Sequence, residues 1–202
     1  MTVNLVVCAS GEGTNFEAIV RASQEGKLAA RVTGLVTNRQ GIGALERAQK
    51  LGIPSAVLNP KNFPSRSDWD RAMVAQLQEW KADYVILAGY LALIGPEVLR
   101  FFTQRVVNSH PALLPKFGGS GMYGDRVHEA VVRAGEKESG VTIHLIDEVF
   151  DRGKIIAQER VVVRPEDTPE DLSRRVKALE VLLYPKVIND MVTGRLKFIE
   201  EG

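Results

Sequence analysis

An open α/β sheet, mostly parallel and covered by helices on both faces, is the fold that this sequence predicts. Short apolar runs typical of buried strands alternate with segments of helical periodicity, as in consecutive β-α-β units. The strand-like runs are almost continuously apolar, which is the pattern of parallel strands buried on both faces. Two adjacent strand-like runs follow toward the C-terminal part, where we expect antiparallel strands.

The predicted elements of the first half each have a local signal. The first helix places Phe16, Ile19 and Val20 on one face. Ser67 or Asp68 is expected to cap the third helix. The predicted strands are Asn4–Ala9, Arg31–Thr37, Ser55–Leu58, Tyr84–Ala88 and Val106–Asn108. The predicted helices are Asn15–Glu25, Ala44–Leu51 and Trp69–Trp80.

The later part of the chain begins with a glycine-rich segment. Residues Gly118–Gly124 contain too much glycine for a regular element and are predicted to be a mobile loop. A short helix is expected around His128–Ala134. Val141–Ile146 and Ile155–Val163 have the composition of strands and are predicted to form the antiparallel pair.

Composition excludes several classes of protein. The chain has 202 residues with a formal net charge of +1, so neither a nucleic acid nor a membrane surface is expected as a partner. Cys8 is the single cysteine, which excludes an intramolecular disulfide, and its apolar neighbours favour a buried small side chain over a nucleophile. No segment has the layout of a signal peptide or the length of a membrane span. We expect a cytoplasmic protein.

Asn108 and His110 form the most informative stretch of the sequence. They follow the apolar residues Val106 and Val107, and their two-residue spacing puts them on one face if the strand continues. An amide N–H that faces a developing oxyanion, beside an imidazole that shuttles protons near neutral pH, suits acyl transfer. A turn with a capping asparagine and a surface histidine fits the spacing about equally well.

The glycine-rich turn Ser10–Asn15 joins the first predicted strand to the first predicted helix. Helix N-terminal amides at this end of a parallel strand favour an anion. A dinucleotide fingerprint is excluded, because Phe16 replaces the third small residue and Asn38, rather than an acid, follows the second strand. A P-loop is excluded because the Lys-Ser/Thr pair is absent. The turn suits one phosphate, and a turn needed only for chain reversal remains the alternative.

The last predicted helix carries a pair of opposite charges. Thr168 caps this helix and Pro169 takes its first position. Lys177 and Glu180 stand three residues apart, with Glu180 at the edge of the apolar stripe and Lys177 further round. The residues alone favour a solvated ion pair. The predicted stripe consists of Leu172, Val176, Leu179, Leu183 and Val187.

Other titratable residues give weaker signals. Asp151 lies in a predicted turn, where aspartate is common, although beside a histidine it would orient the ring and favour the imidazolium form. His110, His128 and His144 have no close metal-ligand spacing and no thiol partners, so no metal site is expected.

The chain resembles the phosphoribosylglycinamide formyltransferases, folate-dependent enzymes of purine biosynthesis, nearly from end to end. The segments that carry the resemblance are Ser10–Asn15, Leu87–Tyr90, Asn108–Pro111, Leu113–Pro115, Gly140–His144 and Asp147–Gly153. The Asn-x-His-Pro element and the later aspartate are common to a wider formyltransferase superfamily. The glycine turn and the length of the chain restrict the range of possible substrates. The resemblance implies one Rossmann-like domain over residues 1–202, with a nucleotide-binding half at about 1–100 and a folate-binding, catalytic part at about 85–202.

The resemblance also implies the reaction. The formyl group of 10-formyltetrahydrofolate passes directly to the primary amine of glycinamide ribonucleotide (GAR), without a metal or a covalent enzyme intermediate. Asn108 and protonated His110 stabilise the tetrahedral oxyanion. Asp151 supports the charged His110 and helps to relay the proton from the amine to the departing folate nitrogen.

Ligand contacts follow from the same resemblance. Three positions correspond to the phosphate site, namely Gly13, Thr14 and Asn15. Glu180 corresponds to the acid that holds the ribose hydroxyls, and Lys177 to a position near the phosphate. Arg66 corresponds to a basic residue near the glutamate tail of the folate. The implied pterin contacts are Leu91, Leu93, Ile94 and Val141, together with the backbone of Asp147 to Asp151. Asn108 is also implied to contact the folate. Ala92 stands where some relatives carry arginine, so only its backbone is expected to contact the folate.

Other functions share parts of this pattern. A formyltetrahydrofolate deformylase uses the same Asn-His-Asp group with water as the nucleophile, but an additional N-terminal domain is typical of it. A transferase acting on initiator methionyl-tRNA has a further C-terminal domain, and we expect neither extension here. A non-catalytic folate- or nucleotide-binding module would be marked by loss of Asn108 or His110, and both are present. We expect the transferase, as a monomer or a homodimer.

Overall fold

The structure, a computed structural model, describes residues 2–146 and 153–196. The strands are β1 Val3–Ala9, β2 Ala30–Thr37, β3 Ser55–Val57, β4 Tyr84–Leu87, β5 Val106–His110, β6 Glu138–Leu145 and β7 Ile155–Val162. The helices are α1 Thr14–Gln24, α2 Gly43–Leu51, α3 Arg66–Glu79, α4 Pro96–Phe101, α5 Asp125–Arg133 and α6 Pro169–Val192. A 3-10 turn spans Pro60–Asn62.

The strands form one sheet in the order β3-β2-β1-β4-β5-β6-β7. The pairs β1-β2, β1-β4 and β2-β3 are parallel, and β6-β7 is antiparallel. The predicted fold class is therefore confirmed. The chain divides into two compact units, Met1–Val107 and Asn108–Gly202, and its organisation as one functional domain stays a prediction.

In the first unit, the direction in which successive strands are added to the sheet reverses at β1. The chain moves from β1 to β2 and β3 on one side, and then returns to place β4 on the other side of β1. Loops that follow β1 and β4 leave the same edge of the sheet, which is where open α/β sheets bind ligands. The core below is apolar, since Leu5 to Ala9 are fully buried and the predicted face of α1 is buried as well.

Helix α3 begins earlier than the sequence predicted. Ser65 is its N-cap, and its hydroxyl accepts a hydrogen bond from the Asp68 N–H at 3.1 Å. The assignment of the cap to Ser67 or Asp68 was therefore wrong. Asp68 instead takes the position three residues after the cap, where its carboxylate accepts from the Ser65 hydroxyl at 2.6 Å. This reciprocal pair resembles a capping box, a signal that was available in the sequence.

Helix α4 was not predicted, because six residues are too few to show helical periodicity. It begins after Gly95, with Pro96 at its first position. Buried Asp70 of α3 accepts a hydrogen bond from the Glu97 N–H at 2.7 Å. A side chain on Gly95 would collide with that carboxylate, since a Cβ there would lie 2.3 Å from Asp70 Oδ1. Tertiary contact rather than local sequence thus holds this helix.

The second unit contains the antiparallel strands, α5 and α6. The segment Gly118–Gly124 forms no helix or strand, as predicted. Helix α6 has the predicted Thr168 cap, completed by Asp171 as a capping box. Four members of the predicted stripe are buried, whereas Leu179 is half-buried and Glu180 is buried beside it. No helix within the described residues is long and apolar enough to cross a membrane.

Candidate active site

Strand β5 continues through both of its polar residues. The observed strand Val106–His110 includes Asn108 and His110, and only 4% of His110 is exposed. The alternative of a turn with a surface histidine is therefore wrong. Ser109 between them alternates to the opposite side of the strand, because successive side chains of a strand point to opposite faces.

His144 of β6 orients the Asn108 amide. Its Nδ1 lies 3.0 Å from the Leu145 carbonyl oxygen, which only accepts, so Nδ1 carries a proton. In the neutral ring Nε2 is then an acceptor, and it lies 3.1 Å from Asn108 Nδ2. One N–H of the Asn108 amide therefore points at His144. The other N–H of the same nitrogen is directed by this contact, which is the arrangement that an oxyanion donor needs.

The His110 ring is oriented by the loop that follows β5. Its Nε2 lies 2.8 Å from the Phe117 carbonyl oxygen, and this nitrogen is therefore an N–H donor. Phe117 has a φ of 56°, a backbone conformation that non-glycine residues rarely adopt. The loop conformation and the position of the catalytic candidate are consequently linked.

A buried hydrogen-bond network holds the chain between His110 and Phe117. Thr142 Oγ1 donates to the Ala112 carbonyl at 2.6 Å and accepts from the Leu114 N–H at 3.0 Å. Gln158 Nε2 lies 2.8 Å from both the Leu114 carbonyl and Thr142 Oγ1. Strands β6 and β7 thereby fix the exit of β5 through side chains that the sequence did not single out. Three of these four bonds satisfy backbone groups of a segment that has no regular structure.

Glu180 is a buried acid with a specific partner. Ser109 Oγ donates to Glu180 Oε1 at 2.5 Å, and only 8% of Glu180 is exposed. Lys177 instead extends to Asp125 of α5, with 3.5 Å between Nζ and Oδ1. The solvated ion pair favoured by the sequence alone is therefore wrong. Helical spacing predicted which side of α6 each residue occupies, but not the partners, since these come from other elements.

His128 of α5 is a buried imidazole near this pair. Only 1% of it is exposed, and its Nδ1 has no hydrogen-bond partner among the described residues. Burial, followed by the positive charge of Lys177, lowers the pKa of His128 to about 4, against an opposing effect of Asp125. The imidazole is therefore neutral at physiological pH. No ligand role was predicted for it.

The glycine turn of the first unit is closely packed. Gly13 has φ 76° and ψ 28°, and it precedes α1 without a side-chain cap. A Cβ at this residue would lie 2.7 Å from the Cα and Cβ of Ala44. Buried Asn15 directs an Oδ1 that has no partner within the described part of the chain. Uncapped amides at the start of α1 suit an anion, although this geometry also fits a turn needed only for chain reversal.

The loop after β4 presents apolar side chains. Leu91 and Leu93 are 45% and 51% exposed, whereas Ile94 is buried. Arg66 donates to the Leu93 carbonyl oxygen, and its guanidinium lies 4.3 Å from the centre of the Trp69 ring. The arginine thus holds this loop as well as presenting charge. Exposed leucines on a held loop suit a flat, largely apolar ring.

The remaining residues of the predicted catalytic and folate sites are Val141, Asp147 and Asp151. Val141 is buried in β6, where its neighbour Thr142 points to the opposite face. Asp147 and Asp151 lie outside the described residues. Cys8 is buried as predicted, and burial raises the pKa of its thiol. Among the described residues no group of three His, Cys, Asp or Glu side chains is placed to hold a metal ion.

Comparison with known proteins identifies the family. The model of the formyl transferase family matches residues 3–188. Phosphoribosylglycinamide formyltransferase of Arabidopsis thaliana, a chloroplastic protein, is 42% identical over 98% of this chain and 68% of its own length. The Haemophilus influenzae phosphoribosylglycinamide formyltransferase is 34% identical over 96% of this chain and 89% of its own length. Glycinamide ribonucleotide transformylase 1 from Symbiobacterium toebii superimposes with a TM-score of 0.92 at 36% identity, covering 100% of this chain and 92% of that chain. The chain belongs to the formyl transferase family.

Proposed function

We propose that this protein transfers the formyl group of 10-formyltetrahydrofolate to the primary amine of GAR. The products are formylglycinamide ribonucleotide and tetrahydrofolate, and the reaction belongs to de novo purine biosynthesis. Relatives at 34% and 42% identity over nearly the whole chain carry the name of this activity. The observation that carries the proposal within the structure is the pair of oriented polar groups on β5, Asn108 held by His144 and His110 held by Phe117.

The proposed reaction proceeds through a tetrahedral intermediate. The GAR amine forms a bond to the formyl carbon, and the carbonyl oxygen becomes an oxyanion. The Asn108 N–H that does not face His144 and the protonated form of His110 stabilise this charge. The carbon–nitrogen bond to the folate then breaks, while the proton lost by the amine reaches the departing folate nitrogen. Asp151 is proposed to support the charged His110 and to help relay this proton.

The proposed GAR contacts use a different kind of group. Gly13, Thr14 and Asn15 bind the phosphate at the N-terminus of α1, where uncapped amides favour an anion. Glu180 holds the ribose hydroxyls, and its position is supported by the Ser109 hydrogen bond. Lys177 adds positive charge near the phosphate, and most of its side chain is accessible, since 58% of it is exposed.

The proposed folate contacts centre on the loop after β4. Leu91, Leu93 and Ile94 line the pterin ring, with the backbone of Ala92 and with Val141 of β6. Arg66, which already donates to the Leu93 carbonyl, directs its remaining N–H groups to the glutamate tail. Asn108 contacts the folate at the formyl group, and the backbone of Asp147 to Asp151 binds the polar edge of the pterin. No metal takes part in the proposed reaction.

Hydrolysis of the same folate is the alternative with the same catalytic group. It is not favoured, because the relatives that match nearly the whole chain are transferases that act on the nucleotide. Cytoplasmic localisation stays a prediction, as does the choice between a monomer and a homodimer.

Formyl transfer tests the proposal directly. Purified protein is incubated with 10-formyltetrahydrofolate, with and without GAR, and formylglycinamide ribonucleotide is measured by mass spectrometry. We expect product only with GAR, and a large loss of turnover in the Asp151→Asn variant with its fold intact. Formate release without GAR would instead indicate a deformylase. Full activity of Asp151→Asn would remove the proposed role of that carboxylate while leaving the reaction in place.

A further inference from the structure

Ser10 links three loops at the ligand-binding edge of the first unit. It directly follows β1, and its backbone N–H donates to the Gly89 carbonyl in the loop after β4 at 3.1 Å. Its hydroxyl accepts from the Leu91 N–H of the same loop at 2.8 Å. The hydroxyl also donates to Asn38 Oδ1, in the loop after β2, at 2.7 Å. Only 2% of Ser10 is exposed, so water does not replace these bonds.

Two of these three bonds use the Ser10 hydroxyl, once as a donor and once as an acceptor. A hydroxyl has one proton to donate, and donation to Asn38 turns its lone pairs toward the Leu91 N–H. Gly89, two residues before Leu91, has a φ of 68°, and the side chain of Leu91 is exposed. The orientation of the Leu91 peptide, and of the loop that begins there, therefore depends on the Ser10 hydroxyl.

The other end of the glycine turn is attached to α2 by backbone groups. The Ala44 N–H donates to the Gly11 carbonyl at 3.1 Å, and Arg47 Nε donates to the Glu12 carbonyl at 2.7 Å. Gly13 packs against Ala44 without room for a Cβ. The turn thus behaves as a stiff element between α2 and Ser10. The contacts therefore form a continuous path from α2 through the turn and Ser10 to Leu91.

We propose that Ser10 is a positioning residue that couples the phosphate-binding turn to the pterin-binding loop, so that GAR and the folate each tighten binding of the other. The coupling rests on the proposed function, which places the phosphate at Gly13–Asn15 and the pterin at Leu91–Ile94. Ser10 itself touches neither ligand. By thermodynamic linkage the effect is reciprocal, and the same factor applies to both ligands.

Calorimetry on the full-length protein measures this coupling. Tetrahydrofolate is titrated with and without saturating GAR, because this pair of ligands cannot react. We expect GAR to tighten tetrahydrofolate binding by at least about fivefold in the parent protein. In Ser10→Ala the factor falls to less than about twofold, and tetrahydrofolate alone binds about tenfold more weakly, since the Leu91 N–H has lost its acceptor.

Two further variants separate coupling from general damage. Ser23→Ala removes a comparable hydroxyl, which donates to the Ala30 carbonyl at 2.7 Å away from both loops, and it should keep the parental factor. Asn38→Ala leaves the Leu91 bond in place but frees the hydroxyl rotor, and it should give an intermediate factor. Asn38→Ala also carries the test if Ser10→Ala does not fold.

The outcomes distinguish this inference from the proposed function. A parental coupling factor in a folded Ser10→Ala, or in Asn38→Ala where Ser10→Ala does not fold, overturns the coupling. An equal loss in Ser23→Ala overturns it as well, because the effect would then be general. A parent protein that binds both ligands independently refutes the coupling alone. A parent protein that binds neither GAR nor tetrahydrofolate refutes the proposed function instead.

Discussion

The two compact units present different chemical groups. In the first unit the candidate ligand contacts are backbone amides of a glycine turn, apolar side chains of one loop and the guanidinium of Arg66. In the second unit they are asparagine, histidine and glutamate side chains, each held by a named partner. A phosphate and a flat ring are recognised by shape and by N–H groups, whereas acyl transfer needs groups that donate protons in a fixed direction.

This difference predicts which property a substitution should change in each unit. A change in the first unit alters binding or the free energy of unfolding, because the backbone itself is the contact. A change to the polar side chains of β5 should alter turnover while leaving the fold in place. Substitutions in each unit, with controls of similar chemistry, test this division.

The largest effect is expected at Asn108. Asn108→Ala removes a proposed oxyanion donor and should lower kcat by about 10²- to 10³-fold, with little change in KM for GAR. Steady-state kinetics of formyl transfer measure both constants. Asn59→Ala is a suitable control, since its amide side chain only accepts from the Lys61 N–H in an exposed turn. A large rise in KM with an unchanged kcat would assign Asn108 to binding and would contradict the division between the units.

The second prediction concerns His128 and the pH dependence of stability. Its folded pKa of about 4 lies below the ordinary value of 6.5. Between these values the unfolded chain binds more protons, so the free energy of unfolding falls as the pH falls, by about 3 kcal/mol from pH 6.5 to pH 4. Urea unfolding across this range should show a smaller decline in His128→Gln than in the parent. Identical declines would show that the histidine is not held neutral by its surroundings.

The third prediction separates two glycines of one turn. Gly13→Ala should reduce the free energy of unfolding by about 2 kcal/mol, because it adds left-handed strain and a close contact with Ala44. It should also weaken GAR binding. Gly11→Ala adds a methyl group in open space and should change stability by less than about 0.5 kcal/mol. Urea unfolding and calorimetry on both variants provide the measurement, and equal losses would contradict the role of backbone conformation at Gly13.

The smallest effect tests a cap in the first unit. Ser65→Ala should lower the free energy of unfolding by about 1 kcal/mol, since the Asp68 N–H loses its acceptor. Ser67→Ala, two residues further on, should be nearly neutral. Thermal unfolding distinguishes the two variants, and kcat should be unchanged in both. A larger loss in Ser67→Ala would restore the cap that the sequence analysis favoured.

Much of the fold was predictable because its signals are local. Buried strands such as β1 and β4 are apolar runs, and Thr168 with Pro169 marks the start of α6 without reference to any other element. Helix α4 escaped prediction because its first turn depends on Asp70, a residue of another helix. The cap of α3 was misplaced by two or three residues, since serine and aspartate are both good caps and the position of Asp68 relative to Ser65 was not considered.

The candidate site was predictable in its residues but not in its contacts. Two-residue spacing put Asn108 and His110 on one face only if the strand continued, which it does in β5, and the resemblance to formyltransferases assigned their roles. The partners His144 and Phe117 were not foreseen, because each meets β5 through tertiary structure. The hydrogen bond between Ser109 and Glu180 was not foreseen either. A buried acid needs a hydrogen-bond donor, but the sequence does not show that Glu180 is buried.

The sequence by itself determined the α/β alternation, the glycine turn before α1, the polar pair on β5 and the family to which these belong. These features depend on side-chain periodicity and on residues adjacent in the chain. Tertiary structure alone decided which nitrogen of His110 and of His144 carries a proton, because a ring nitrogen that faces a carbonyl oxygen must be a donor. It also decided that Ser10 joins the loops after β1, β2 and β4, because hydrogen bonds between strand ends depend on the order of strands in the sheet.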